Sequence, residues 1–125
     1  MAHKEGTPIV YVVDDEPAIR DSLQVLLKAV RLTTRTFASA SEFLAATISR
    51  PACLLLDIRM PELDGFQLQK RIAGTDHDIP IIVITSFALA GDEQKARDAG
   101  ASAYLAKPYS PRELLQLIRQ LAPES

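Results

Sequence analysis

Several things are scarce in this chain of 125 residues, and each scarcity removes a class of function. Cysteine occurs once, at Cys53 inside an apolar run, so no internal disulfide can form. A lone thiol in that setting is expected as a small buried hydrophobe, and the lack of pairing fits a reducing compartment. No apolar run approaches the ~20 residues that a membrane-spanning helix needs. The opening stretch MAHKEGTP lacks the apolar core of a secretory signal. A cytoplasmic location without membrane association is the resulting expectation. Basic excess is missing as well: 14 Lys+Arg against 16 Asp+Glu give a net charge of −2 and a pI near 5.6. That balance argues against direct binding to nucleic acid or to an anionic membrane. Internal repeats, low-complexity tracts and linkers are also absent. Residues 8–122 are expected to form one domain, with 1–7 and 123–125 as flexible ends.

What is present alternates between β-rich runs and helical patterns. Ile9–Val13 is apolar on both faces, as a central strand of a parallel sheet should be. Pro17 suits the first turn of a helix, and Ile19, Leu23, Leu26, Leu27 and Val30 then form a stripe at helical spacing. Thr33–Phe37 is short and more polar, which predicts an edge strand. Ser39 and Glu42 stand at capping-box spacing ahead of a helix predicted through about Ile48. Cys53–Leu56 is the next buried strand, with Asp57 at its carboxyl end. Asp64-Gly65 opens a helix carrying Phe66, Leu68 and Ile72, and Pro80–Thr85 is a fourth strand. Gly91–Ala99 is helical in propensity but mostly polar, with Gly100 placed to end it; the run Asp92–Asp98 reads as a solvated helix face that is easily shifted. Ala103–Ala106 is a fifth strand. Ser110-Pro111-Arg112-Glu113 then combines a capping box with an initial proline ahead of the Leu114, Leu117, Ile118, Leu121 stripe. Five strands alternating with five helices predict an α/β fold: a single doubly wound parallel sheet.

Ligands of such sheets bind beyond the carboxyl ends of the strands. The residues that fall there are Asp14, Asp15 and Glu16 after the first strand and Asp57 after the third. Thr85 and Ser86 follow the fourth, and Lys107-Pro108 the fifth. Crowded carboxylates repel one another unless a cation joins them. An all-oxygen cluster without His or Cys suits a hard ion such as Mg²⁺. A carboxylate beside that ion can attack phosphorus, while the lysine offsets charge on the transferred oxygens. Each residue has a plainer reading: an Asp pair is often a solvated turn, a strand-end Thr is commonplace, Lys107 alone would be a surface lysine, and Tyr104 a core aromatic. His3 and His77 have no partners at metal-ligand spacing and receive no role.

At these residues the chain resembles the response-regulator receiver family of two-component signalling, from Ile9 to Leu121. The matching pieces are VVDDEP at 12–17, LLLDIRMPELDG at 54–65, VITS at 83–86 and YLAKPYSPREL at 104–114. The resemblance implies a flavodoxin-like (βα)₅ fold with strand order 2-1-3-4-5. It implies Asp57 as phosphoacceptor, and Asp14, Asp15 and Asp57 with the backbone carbonyl of Arg59 as ligands of Mg²⁺. Thr85 and Tyr104 take the switch positions, and Lys107 the partner of the phosphoryl group, with Lys107-Pro108 in cis. Arg59 and Phe87 are expected over the phosphoryl group, where they alter its lifetime. The implied partners are a sensor histidine kinase and an output domain or target protein. The stretch from Val12 to Leu27 is most similar to receivers that serve helix-turn-helix outputs. A phosphorylation-dependent homodimer is a further expectation. The implied function is a switch rather than an enzyme, with at most self-phosphorylation and self-dephosphorylation.

Two other functions share part of this pattern. A magnesium-dependent phosphatase of the haloacid-dehalogenase kind also uses a strand-end aspartate. It needs a second acid two residues later to protonate the leaving group, and Arg59 stands there. A nucleotide-binding module would need a glycine-rich phosphate loop after the first strand, and none is present.

Overall fold

The structure, a computed structural model, describes residues 7–60, 64–85 and 88–123. Its elements are β1 (Ile9–Val13), α1 (Pro17–Ala29), β2 (Thr33–Phe37), α2 (Ala40–Leu44) and β3 (Ala52–Asp57). They continue with α3 (Gly65–Ile72), β4 (Ile81–Thr85), α4 (Asp92–Asp98), β5 (Ala103–Ala106) and α5 (Pro111–Leu121). The five strands are all parallel and lie in the order β2-β1-β3-β4-β5, the flavodoxin-like arrangement. The expected fold class and strand order are both found.

Alternation along the strands builds two cores. Ile9, Tyr11 and Val13 of β1, with Leu54 and Leu56 of β3, pack under α2, α3 and α4 on one face. Val10 and Val12, with Cys53 and Leu55, pack under α1 and α5 on the other. All five residues of β1 are buried, which explains a strand with no polar face. Cys53 of β3 is buried too, and burial pushes its thiol up to about 12, so it is inert packing. β2 and β5, the strands with the most exposure, lie at the two edges.

Local chemistry sets the element ends. Pro17 opens α1, and the Ser110 hydroxyl accepts the Glu113 N–H in a complete capping box at α5. Asp64 and Gln67 make a second capping box at α3. At α2 the Ser39 hydroxyl accepts the Glu42 N–H, but the helix stops at Leu44 rather than near Ile48. Residues just beyond it are claimed by other elements. His77 Nε2 meets the Ala46 carbonyl at 2.8 Å, Arg35 reaches the Thr47 carbonyl, and the Ser49 N–H donates to the Tyr11 hydroxyl at 2.9 Å. His77 thus has a structural place against Phe43 and Ala46. The Lys107-Pro108 bond is cis, as expected, and Arg50-Pro51 is cis as well.

Among the described residues no helix is long and apolar enough to cross a membrane. Residues 1–6 and 124–125, expected as frayed ends, lie outside the described residues.

Candidate functional site

Strand register brings the acids together. Val13 of β1 pairs with Leu56 of β3, so Asp14 and Asp57 emerge side by side at the carboxyl edge of the sheet. Asp57 pairs with Ile84, which sets Thr85 one residue further along β4; Thr85 pairs with Ala106, and Lys107 follows immediately. The Lys107 N–H donates to the Thr85 carbonyl at 2.8 Å, tying these two strand ends.

Asp14, Asp15 and Asp57 each offer a carboxylate oxygen, and these atoms all lie within 4.8 Å of one another. Asp14 is buried, Asp15 exposed and Asp57 half-buried, so the cluster forms a cup open on one side. The Asp57 carboxyl is raised from its ordinary 3.8 to about 6, chiefly by burial. Against that, the Arg59 N–H, donating at 2.9 Å, and the Lys107 ammonium lower it, while the Asp14 charge raises it further. Asp14 is also raised, first by burial, with the Glu16 N–H at 2.9 Å and Lys107 opposing. Lys107 therefore acts on both acids through its field. The direct ion pairs among the described residues are Arg59–Asp92 and Arg97–Glu93.

The frame around the acids is tight. The Arg20 guanidinium in α1 donates to the Asp14 carbonyl at 2.7 Å and braces the acidic turn from the helix that follows it. On the other side, α3 begins against the acceptor strand. A Cβ at Gly65 would lie 2.6 Å from Ile58 Cα and 3.0 Å from the Asp57 carbonyl oxygen, so only glycine lets α3 approach this closely. The Gly65 N–H donates to the Ile58 carbonyl at 3.2 Å.

Thr85 is fully buried at the end of β4. Tyr104 stands apart from the acids: its ring packs on the α2–α3–α4 core, and its enclosed hydroxyl has no hydrogen-bond partner among the described residues. Burial first, then the Asp92 charge, raises its pKa. Arg59, expected over Asp57, divides itself. Its N–H holds Asp57 Oδ1, while its guanidinium is paired with the Asp92 carboxylate at the start of α4. Phe87, the other residue expected there, and Ser86 lie outside the described residues.

Two residues of this frame escaped the sequence reading. Asp92, taken for part of a solvated helix face, is buried; it accepts the Leu89 N–H at 2.8 Å as well as the Arg59 guanidinium. Arg20 gave no signal beyond its place on the polar side of α1.

The family profile described as "Response regulator receiver domain" matches residues 10–119. The chain belongs to the response-regulator receiver family. Among relatives of this receiver, the transcriptional regulatory protein TdiR of Thauera aromatica is 41% identical over 110 residues, covering 87% of this chain and 48% of its own length. The response regulator TodT of Pseudomonas putida is 37% identical over 121 residues, covering 93% of this chain and 53% of its own. This receiver thus spans about half the length of the curated relatives it matches. A solved structure of the receiver of the sensor histidine kinase PA1611 of Pseudomonas aeruginosa PAO1, described with a magnesium ion in its active-site cleft, matches with a TM-score of 0.79. It is 27% identical over 92% of this chain and 97% of that one. The receiver assignment places the chain in two-component signalling.

Proposed function

We propose that the chain is a phosphorylation-controlled switch in which Asp57 takes a phosphoryl group from a sensor histidine kinase and passes the change of state to an output domain or target protein. The observation that carries this reading is the meeting of three carboxylates within 4.8 Å at the sheet's carboxyl edge, with the charge of Lys107 acting on two of them.

The donor set fits Mg²⁺. It offers hard oxygens without His or Cys, and two of its acids are held partly out of water where their charges oppose one another. Asp14, Asp15, Asp57 and the backbone carbonyl of Arg59 would hold the ion. When bound, it neutralises charge on the oxygens being transferred. The chain's own groups do the rest. The Arg59 N–H fixes one Asp57 oxygen and so presents the other as nucleophile. That oxygen forms the new bond to phosphorus as the bond from phosphorus to the donor breaks. Lys107 supplies a positive field to the same region. The Thr85 hydroxyl donates to the attached group, and the Tyr104 ring responds by turning inward, which alters the surface of α4, β5 and α5.

In this reading the chain does no catalysis beyond its own phosphorylation and dephosphorylation, and it works in the cytoplasm. Output passes through protein contacts rather than direct nucleic-acid binding, and a homodimer is one form the active state can take. The relative named as a transcriptional regulatory protein, TdiR, favours a DNA-binding protein as the output. The phosphatase alternative gains nothing, since the position needing an acid is Arg59.

Thermal denaturation tests the switch. Mg²⁺ with fluoroberyllate, a phosphoryl mimic, is expected to raise the melting temperature of wild type by several degrees, as ligand at about 100 times its dissociation constant adds about 2.7 kcal/mol. Asp57→Asn is expected to show no response to the mimic. Equal shifts in both proteins would place the anion elsewhere and sink this reading.

A further inference from the structure

α4 is held by polar contacts. It is seven residues long, and Ala96 is its one buried apolar side chain. The Gln69 side chain of α3 donates to the Ala96 carbonyl at 2.9 Å, and the Lys95 ammonium sits 4.4 Å from the Phe66 ring centroid. The third attachment is Asp92. It is 6% exposed, accepts the Leu89 N–H and pairs with the Arg59 guanidinium. The Arg59 N–H touches Asp57, and the Arg59 side chain is 35% exposed. One residue thus joins the acceptor aspartate, through its backbone, to α4, through its side chain.

We propose that Asp92 is a positioning residue that parks the Arg59 guanidinium on α4, and that a phosphoryl group on Asp57 competes for that guanidinium. The inference rests on the receiver reading above. A phosphoryl group brings about two negative charges and three acceptor oxygens, and a guanidinium binds such a group through paired hydrogen bonds. Asp92 offers one charge, and losing Arg59 would leave it the Leu89 N–H and the field of Lys95 but no ion-pair partner among the described residues. A buried carboxylate stripped of its cation is costly, so the first turn of α4 opens to water when Arg59 leaves. The Tyr104 hydroxyl lies in the field of both Asp92 and Arg59, so the exchange also changes the surroundings of the aromatic switch position. Two destinations for one cation make the start of α4 responsive to the state of Asp57.

The test is a double-mutant cycle on the full chain, titrating fluoroberyllate at saturating Mg²⁺ by calorimetry. Asp92→Asn is nearly isosteric and keeps an acceptor for the Leu89 N–H, so the fold is expected to survive. Freed from its parking place, Arg59 should make the mimic bind about fivefold tighter, the scale of one partly exposed ion pair. In an Arg59→Gln background the same Asp92→Asn change should have no effect, a cancellation that a purely structural role for Asp92 would not produce. Hydrogen exchange gives a second readout: the mimic should speed exchange of the 88–98 amides in wild type and not in Arg59→Gln. Unchanged affinity in Asp92→Asn, an equal gain in the Arg59→Gln background, or an exchange response that persists there would each overturn the inference while leaving the receiver reading intact. A folded wild type that binds no mimic would overturn both.

Discussion

Burial, with Asp14 beside it, holds the Asp57 carboxyl at about 6 against the pull of the Arg59 N–H and Lys107. A folded-state pKa above the unfolded one means that ionising Asp57 works against the fold. The stability this group lends is full below the ordinary value of 3.8 and is lost as the pH rises through about 6. Metal-free Asp57→Asn is therefore expected to be more stable than wild type at pH 8 and no more stable at pH 4. Allowing for solvent screening of a half-buried group, the gain at pH 8 is about 1–2 kcal/mol. Mg²⁺ should recover that difference for wild type alone. Melting curves at the two pH values check this, and a gain of equal size at both would show that the carboxylate charge is not the cause. At this scale the acids were legible because the ends of buried strands are marked by the sequence itself: Val13 gives way to Asp14, and Leu56 to Asp57. Asp92 was not, because an acid in the first turn of a polar helix looks the same whether it faces water or Arg59. That pairing joins residues 33 positions apart, with no local pattern to announce it.

Elements were legible where one period dominated. β1, β2 and β5 have their predicted bounds, and α5 opens on the predicted capping box. α2 ends early because Ala46, Thr47 and Ser49 are bonded to His77, Arg35 and Tyr11, tertiary partners that override a stretch of adequate helix propensity. The start of α3 matters most for function, since Gly65 lets the helix press on the backbone beside Asp57. Gly65→Ala would force Ile58 and the Asp57 carbonyl aside. It is expected to cost about 1–3 kcal/mol, as overpacking does, and to slow phosphoryl uptake through a displaced acceptor. Denaturant unfolding together with a phosphorylation time course measures both. Wild-type uptake in this variant would mean that the acceptor tolerates the shift.

At the scale of the molecule, two cores grip the sheet from both faces, while the carboxyl edge gathers its charges over a half-open cup. The strand order was legible through the family resemblance, whereas alternation of strands and helices alone set only the doubly wound class. Under the proposed function, this arrangement would couple an anion at one edge to a surface some way from it. α4 is thinly packed and tethered by polar contacts, whereas β1 and β3 have nearly all their residues buried.

The most direct measurement is intact mass spectrometry of wild type and Asp57→Asn during incubation with Mg²⁺ and acetyl phosphate, with released phosphate assayed in parallel. The account predicts a single added phosphoryl group on wild type, labile to hydroxylamine as an acyl phosphate is, and none on the variant. A folded wild type that neither gains the group nor releases phosphate, or an equal gain in Asp57→Asn, would contradict it.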